Sequence, residues 1–343
     1  MVVKKSGAGC FNPARRLQWD YRLGGVPRLV LATDEELMQI PDEIRKCVAF
    51  VARKNNDGSY DKGATVFLVG YPLFPSEPDG PHAFYAITAR HVIEQVVEHG
   101  DGIPYCCINT RQDGIQFLPV PCDNWVFNED ERVDVAVAHI PLDARTVDFR
   151  IMPTSMFMNS MVMETEKVGI GDDLFFPGLF RPRPGEAVNL PIIRIGNIAA
   201  MPSEPIRSEE WGIVPRAYLI EARSIGGLSG SPVFWSSGIG RVRGDDLAAL
   251  SLGRSPIYLI GLIHGHYNAQ GKIWDYDSDP VLDGSAKTSE NAGIAIVVPV
   301  SDILDTLNVS RLESQREEFR QQVALQRLAE SAVLDTHTLP PES

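Results

Sequence analysis

The chain has 343 residues, of which 44% are hydrophobic and 22% charged, a composition typical of a globular protein with a sizeable core. Its formal net charge of −13 argues against nucleic acid as the main ligand, because phosphate backbones attract basic surfaces. No stretch reaches the roughly 18 apolar residues that a membrane span requires, and the N-terminus lacks the apolar segment of a secretory signal.

The five cysteines follow neither a regular disulfide framework nor the spacing of metal ligands. We therefore expect reduced thiols and a cytoplasmic protein.

Short apolar runs rich in β-branched residues alternate with turn-forming clusters along most of the chain, which is typical of a β-rich fold. Residues 1–40 precede these runs and are predicted to be an irregular or partly helical extension. The first six strands are predicted at 45–53, 63–71, 83–88, 105–110, 115–120 and 133–140, with one or two helical turns at 90–99. Six more strands are predicted at 173–180, 190–200, 217–222, 231–235, 256–265 and 293–300.

The break near 142–165 divides these strands into two groups. This pattern favours two packed antiparallel six-stranded β-barrels, although a sandwich fits the same spacing. The predicted domains are a first barrel at 41–145, a second at 146–308 and a helical tail at 309–343. The tail is charged and helix-prone with an irregular apolar stripe, so we expect it to pack on the barrels or to bind a regulatory partner.

Residues 226–234 read GGLSGSPVF and surround Ser229 with glycines. Such a cluster is by itself typical of a turn. It also suits a nucleophilic serine, because glycines allow neighbouring N–H groups to point at a substrate oxygen. The nucleophile interpretation requires a histidine and a carboxylate elsewhere in the chain.

Both partners are present, in the order His, Asp, Ser. His91 lies in TARHV, just after an apolar run, and Asp134 leads into the apolar strand DVAVAHI. Other carboxylates lie near Asp134, but Asp134 directly precedes that strand. A serine hydroxyl, an imidazole that accepts its proton and a carboxylate that orients the imidazole are the groups that nucleophilic serine chemistry needs.

The blocks TARHV at 88–92, DVAVAHI at 134–140 and GLSGSPVF at 227–234 resemble the three active-site blocks of the chymotrypsin-like (trypsin-fold) serine proteases. The resemblance covers roughly residues 45–305, and it is closest in character to bacterial HtrA-type protease domains. It implies two β-barrels, a Ser229 nucleophile, a His91 general base and an orienting Asp134. It also implies an oxyanion hole formed by the N–H groups of Gly227 and Ser229, and no metal or organic cofactor.

The chain departs from the family pattern at three positions, one of which is Ser231 in place of a usual glycine. Leu228 stands where digestive members have an acidic residue, so we expect no activation through a new N-terminus. Val92 stands where secreted relatives have a cysteine, which agrees with an intracellular enzyme. No PDZ module is expected after residue 308.

The resemblance places Arg223, His264, Gly265 and His266 in the substrate pocket. Arg223 would favour acidic side chains in the substrate; alternatively it pairs with Glu221 or faces solvent. His264 and His266 share a strand face and suggest zinc, but no third ligand is evident. The acidic loop at 275–284 departs from the EF-hand pattern, which favours a solvated loop over a calcium site.

The sequence thus predicts a serine endopeptidase that acts on a protein or peptide, without a nucleic-acid or membrane partner. The alternative is a latent or catalytically inactive module with the protease fold that binds an extended peptide or a partner by strand addition.

Overall fold

The computed structural model describes residues 16–20, 28–32, 40–41, 43–77, 79–208, 212–222, 227–236, 257–272 and 287–337. At 16–20, 28–32, 208, 268–272, 287–292 and 330–337 this description covers the backbone alone. The chain divides into two compact units. Residues 1–41 with 239–255 form one, and residues 42–238 with 256–343 form the other.

The smaller unit contains an antiparallel pair of strands, β1 (Arg16–Asp20) and β2 (Arg28–Ala32), in which Leu17 lies opposite Leu31. Residues 1–40 are predicted from the sequence to be irregular or partly helical. Two strands within that range are therefore a difference from the prediction.

The first half of the larger unit is an eight-stranded sheet in which the order β7-β6-β3-β4-β5-β9-β8 is antiparallel and β10 pairs with β4 in parallel. All six predicted strands of this half are present. The short strands β8 and β10 were not predicted. The bounds are β3 (Val48–Lys54), β4 (Tyr60–Pro72), β5 (His82–Thr88), β6 (Tyr105–Asn109), β7 (Ile115–Pro119), β8 (Trp125–Phe127), β9 (Ala136–His139) and β10 (Met152–Pro153).

This half confirms a β-rich sheet with the six predicted strands, but a second closed barrel is not shown. Closure would require the edge strands β7 and β8 to pair, and among the described residues they do not; a 3₁₀ turn at Cys122–Asn124 connects them along the chain. Pro119 ends β7 and Pro121 follows it, and proline has no N–H to donate to a neighbouring strand. Strand count and spacing alone do not reveal whether the edges of a sheet meet.

The second half of the larger unit contains a closed six-stranded antiparallel barrel with the order β11-β12-β15-β18-β17-β16. Its six strands match the six predicted ones, although β17 and β18 extend well beyond the predicted bounds. Two short strands, β13 and β14, pair separately. The bounds are β11 (Asp173–Gly178), β12 (Ile192–Ala200), β13 (Ile206–Ser208), β14 (Gly212–Val214), β15 (Tyr218–Glu221), β16 (Pro232–Ser236), β17 (Ile257–Lys272) and β18 (Lys287–Pro299).

The two halves of the larger unit meet at β4, in the middle of the first sheet. Residues 64–70 of this strand are buried without alternation, so both faces of β4 are covered. On one side Thr65 reaches the barrel: its Oγ1 accepts a hydrogen bond from the N–H of Leu179 at 2.9 Å. The junction between the halves is therefore part of the core.

Five helices precede, connect or follow the strands among the described residues. They are α1 (Glu43–Lys46), α2 (Arg90–Val97), α3 (Ser160–Glu166), α4 (Val300–Leu307) and α5 (Ser310–His337), and a second 3₁₀ turn lies at Thr154–Met156. The predicted C-terminal helical tail is confirmed by α5. None of the described helices combines the length and the apolar character that crossing a bilayer requires.

The helix α5 packs on the first sheet of its own chain. The ring of Phe319 lies 4.7 Å from that of His139 at the end of β9, and Arg320 Nε donates to the carbonyl of Leu73 at 2.7 Å. Leu325 and Leu328, farther along the helix, are exposed.

Candidate active site

His91 is the second residue of α2, which begins directly after β5. The residue before the helix is Ala89, whose side chain supplies no hydrogen-bonded cap. The backbone N–H of His91 instead donates to Asp134 Oδ1 at 2.9 Å. A carboxylate at this end is favourable, because the first N–H groups of a helix have no partner within it and carry partial positive charge. Asp134 therefore caps the helix that carries His91.

The carboxylate of Asp134 also binds two imidazoles through its other oxygen. Oδ2 lies 2.7 Å from His91 Nδ1, and it is hydrogen-bonded to His264 Nδ1. A carboxylate only accepts hydrogen bonds, so both Nδ1 atoms act as donors. This leaves Nε2 of His91 as the nitrogen that can accept a proton.

Asp134 is buried and stays ionised. Burial by itself would raise the pKa of Asp134, but the charge of His91 and the hydrogen bonds from His264 and His91 together hold that pKa well below its usual range. The site thus contains a fixed negative charge next to His91.

His264 reaches Asp134 because β17 is irregular at this point. Ile263 pairs with Val297, and Gly265 pairs with Ile296, so His264 is an additional residue between two consecutive pairs. Such a β-bulge turns a side chain away from its regular alternation. His264 is 5% exposed, beside Ile263 at 1%.

Ser229 lies in the turn before β16, and Thr65 of β4 holds this turn on both sides. The N–H of Thr65 donates to the Ser229 carbonyl at 3.0 Å, and Thr65 Oγ1 donates to the Gly227 carbonyl at 2.9 Å. The Thr65 carbonyl in turn accepts a hydrogen bond from Thr88 Oγ1 at 2.7 Å. These bonds orient the peptide groups on either side of the predicted nucleophile.

Two glycines allow this turn to form. Gly227 and Gly230 have φ of +106° and +80°, a region that side chains disfavour. A Cβ on Gly230 would also lie 2.2 Å from both the Thr65 carbonyl oxygen and Thr88 Oγ1. Gly230 therefore lies directly against the residue that precedes the His91 helix by two positions.

A closed series of hydrogen bonds connects the segments that carry Ser229, His91 and Asp134. Gly230, next to Ser229, donates its N–H to the Ile263 carbonyl at 2.8 Å, and the following residue, His264, binds Asp134. Asp134 binds His91, and the strand before His91 returns through Thr88 to Thr65 and Ser229. Ser229 and His91 are partly exposed, whereas Asp134 and His264 are buried. The two groups that would meet a substrate are thus the accessible ones.

The N–H groups of Gly227 and Ser229, predicted to form the oxyanion hole, donate no hydrogen bond to another described residue. The carbonyls of the same two residues are occupied by Thr65. Two backbone donors beside the hydroxyl of Ser229 are what a developing oxyanion requires.

Two imidazoles and a carboxylate are also a donor set that suits zinc, and one atom from each of His91, Asp134 and His264 lies within 4.8 Å of the others. This set differs from the His264 and His266 pair considered from the sequence. Both Nδ1 atoms already donate to Asp134, so a metal at that oxygen would have to displace both hydrogen bonds. The geometry favours a hydrogen-bonded cluster.

The remaining predicted residues are distributed as follows. Gly265 and His266 lie on β17 opposite Ile296 and Ala295. Arg223 and the acidic loop at 275–284 lie outside the described residues. Sequence reasoning placed His264 in the substrate pocket and missed its bond to Asp134, and it also missed Thr65 and Thr88. Their bonds depend on the packing of distant strands, so no local pattern marks them.

Comparison with models of known protein families gave no match, and comparison with curated proteins gave no significant match. The function of this site therefore has to be inferred from its geometry and from the ordered sequence blocks.

Proposed function

We propose that the protein is a serine endopeptidase that uses Ser229, His91 and Asp134. The observation that carries the proposal is the 2.7 Å contact between His91 Nδ1 and Asp134 Oδ2, which makes Nε2 of this partly exposed imidazole the nitrogen that can accept a proton. The glycine-rich turn with Ser229 packs against the residues just before the same histidine.

In the first half of the proposed reaction, Ser229 Oγ attacks the carbonyl carbon of a peptide bond and His91 Nε2 accepts the hydroxyl proton. The negative charge that develops on the carbonyl oxygen is stabilised by the N–H groups of Gly227 and Ser229. The carbon–nitrogen bond then breaks, and His91 returns the proton to the departing amine. Ser229 remains as an acyl ester.

In the second half, a water molecule loses a proton to His91 and adds to the ester carbon. The bond to Ser229 Oγ breaks, the proton returns to this oxygen, and the carboxylic acid leaves. Asp134 stays ionised throughout and stabilises the imidazolium form of His91. The cycle restores the starting enzyme with water as its only co-reactant.

An extended peptide fits beside β17 in this proposal. The strand β16 pairs with β17 only as far as Leu262, so no described strand occupies the same edge at Gly265 and His266. Backbone groups at a free edge can pair with an extended peptide. Arg223, proposed from the sequence to favour acidic substrate side chains, lies outside the described residues.

We further propose a cytoplasmic location for this enzyme. The described cysteines Cys47, Cys106, Cys107 and Cys122 are all free, and the first three are buried. Burial raises the pKa of Cys47 and of Cys106 to about 12, so neither is a reactive thiolate at neutral pH. Their role is packing.

The test is covalent labelling with a fluorophosphonate probe, which reacts with activated serines. We compare the native protein with Ser229→Ala and His91→Ala, and Ser231→Ala serves as a matched control two residues along the same turn. Labelling of the native protein and of Ser231→Ala, with none in the other two variants, supports the proposal. Hydrolysis of a peptide library by the same four proteins then tests the endopeptidase activity.

A folded native protein that neither labels nor cleaves peptides would contradict the proposal. It would favour the alternative, a latent or inactive module of the protease fold that binds an extended peptide or a partner. Peptide binding that is equal in the native protein and in Ser229→Ala, without turnover in either, identifies that alternative.

A further inference from the structure

The two carboxylate oxygens of Asp134 accept hydrogen bonds from different donors. Oδ1 accepts the backbone N–H of His91, and Oδ2 accepts the Nδ1 donors of His91 and His264. His264 is thus the only one of the three described donors that does not come from His91 itself. It comes from β17 of the barrel, whereas His91 comes from α2.

The two imidazoles do not compete for the same position. Their ring centroids lie 5.6 Å apart at an interplanar angle of 84°, so they meet edge to face with the carboxylate oxygen between their Nδ1 atoms. The side chain of His264 is 6% exposed and that of His91 is 15% exposed. His91 is therefore the imidazole on the accessible side, and His264 lies behind it.

A β-bulge in β17 places His264 next to Asp134. The bulge in β17 places this residue between two regular pairs with β18. The carbonyl of the preceding residue, Ile263, also holds Gly230 beside Ser229. One short stretch of β17 thus contacts the carboxylate side and the serine side of the site.

We propose that His264 is a positioning residue for the reaction: its Nδ1–H holds the Asp134 carboxylate in the orientation that binds His91. This inference rests on the proposed function. It assigns to His264 a role other than the substrate-pocket role expected from the sequence. Without this donor, Asp134 can rotate, and His91 loses its fixed tautomer and direction.

Three variants of His264 distinguish the effect of losing the hydrogen-bond donor from the effect of changing the side-chain volume. His264→Asn keeps an N–H close to the position of Nδ1. His264→Gln carries its amide farther out, and His264→Leu has no donor. The control is His139→Leu, a partly buried histidine whose ring packs on Phe319. Thermal unfolding is recorded for each variant, and His264→Gln replaces His264→Leu if the leucine variant does not fold.

The first readout is the rate of fluorophosphonate labelling of Ser229. We expect His264→Leu and His264→Gln to label roughly 10- to 100-fold more slowly, by analogy with residues that orient metal-binding histidines through a hydrogen bond. His264→Asn is expected to recover to within a few-fold of the native rate, and His139→Leu to match it. Native labelling by His264→Leu, or equal losses in His264→Asn and His264→Leu, would overturn the inference.

The second readout does not need an active enzyme. The proton between His91 Nδ1 and Asp134 gives a downfield NMR signal, assigned by its loss in His91→Ala. We expect this signal to be lost or shifted in His264→Leu and kept in His264→Asn. If the native protein does not label, the protease proposal fails, and this signal alone decides the role of His264. An unchanged signal in His264→Leu overturns it.

Discussion

Gly230 shows how a single residue determines the shape of the site. Its φ is +80°, and a Cβ there would lie 2.2 Å from the Thr65 carbonyl oxygen and from Thr88 Oγ1, both of which are buried and hydrogen-bonded. Neither contact can be relieved by moving a flexible side chain. The close approach of this turn to the first sheet therefore requires glycine.

We predict that Gly230→Ala lowers the free energy of unfolding by at least 2 kcal/mol, because strain of about 1–2 kcal/mol from positive φ adds to the overlap. The matched control is Gly58→Ala, which has φ of +85° and nothing within 4 Å of the added Cβ. Only the strain of positive φ applies to the control. Urea unfolding measures both variants, and equal losses would show that the turn can move away from Thr88.

At the scale of elements, the helix α5 is held on the first sheet by a buried cation. Arg316 is 2% exposed, and its guanidinium lies 4.1 Å from the ring centre of Tyr71. Its Nη1 donates to the Leu307 carbonyl at 2.7 Å and to the Tyr85 hydroxyl at 3.3 Å. Its Nη2 also donates to Asn308 Oδ1 at 3.4 Å, and all three of these described acceptors are uncharged. Hydrogen bonds and ring stacking therefore keep this charge buried.

We expect Arg316→Ala to lower the free energy of unfolding by about 3 kcal/mol, since both the stacking and the hydrogen bonds are lost. Arg316→Lys is expected to recover only part of this, because an ammonium cannot stack as a planar guanidinium does. Arg132→Ala is the control, since its pair with Asp130 is at the surface and should change stability by less than about 0.5 kcal/mol. Full recovery with lysine would mean that charge alone anchors α5.

At the scale of the whole larger unit, the site exists only where its two halves meet. His91 on α2 and Asp134 just before β9 belong to the first half, whereas Ser229 precedes β16 of the barrel and His264 lies on β17. Thr65 joins them, because its hydroxyl donates to the Gly227 carbonyl and accepts from the N–H of Leu179. A methyl group in place of this hydroxyl would leave two buried backbone groups without their partner.

We predict that Thr65→Val lowers the free energy of unfolding by about 1–3 kcal/mol, the usual effect of leaving buried polar groups unsatisfied. It should also slow fluorophosphonate labelling, because the Gly227 peptide is no longer held. Thr65→Ser retains the hydroxyl and should keep both properties near native. A Thr65→Val protein with native stability and native labelling would show that this bridge does not maintain the site.

The sequence alone determined most of the strands, and it predicted three residues of the candidate site. The three blocks around His91, Asp134 and Ser229 carry local signals: an apolar strand end, a carboxylate before a strand, and glycines around a serine. All twelve predicted strands are present, because apolar periodicity and turn residues act over a few positions. The four strands missed in the larger unit, β8, β10, β13 and β14, have at most three residues, too few to show a period.

Only the tertiary structure decided how these pieces combine. Whether the edges of the first sheet close into a barrel depends on β7 meeting β8, and these two strands do not pair among the described residues. The hydrogen bond between His264 and Asp134 joins residues that are 130 positions apart in the chain. It depends on a β-bulge in β17 that no local sequence pattern predicts. Local propensities act along the chain, whereas the contacts of the site form between distant strands only after the core has packed.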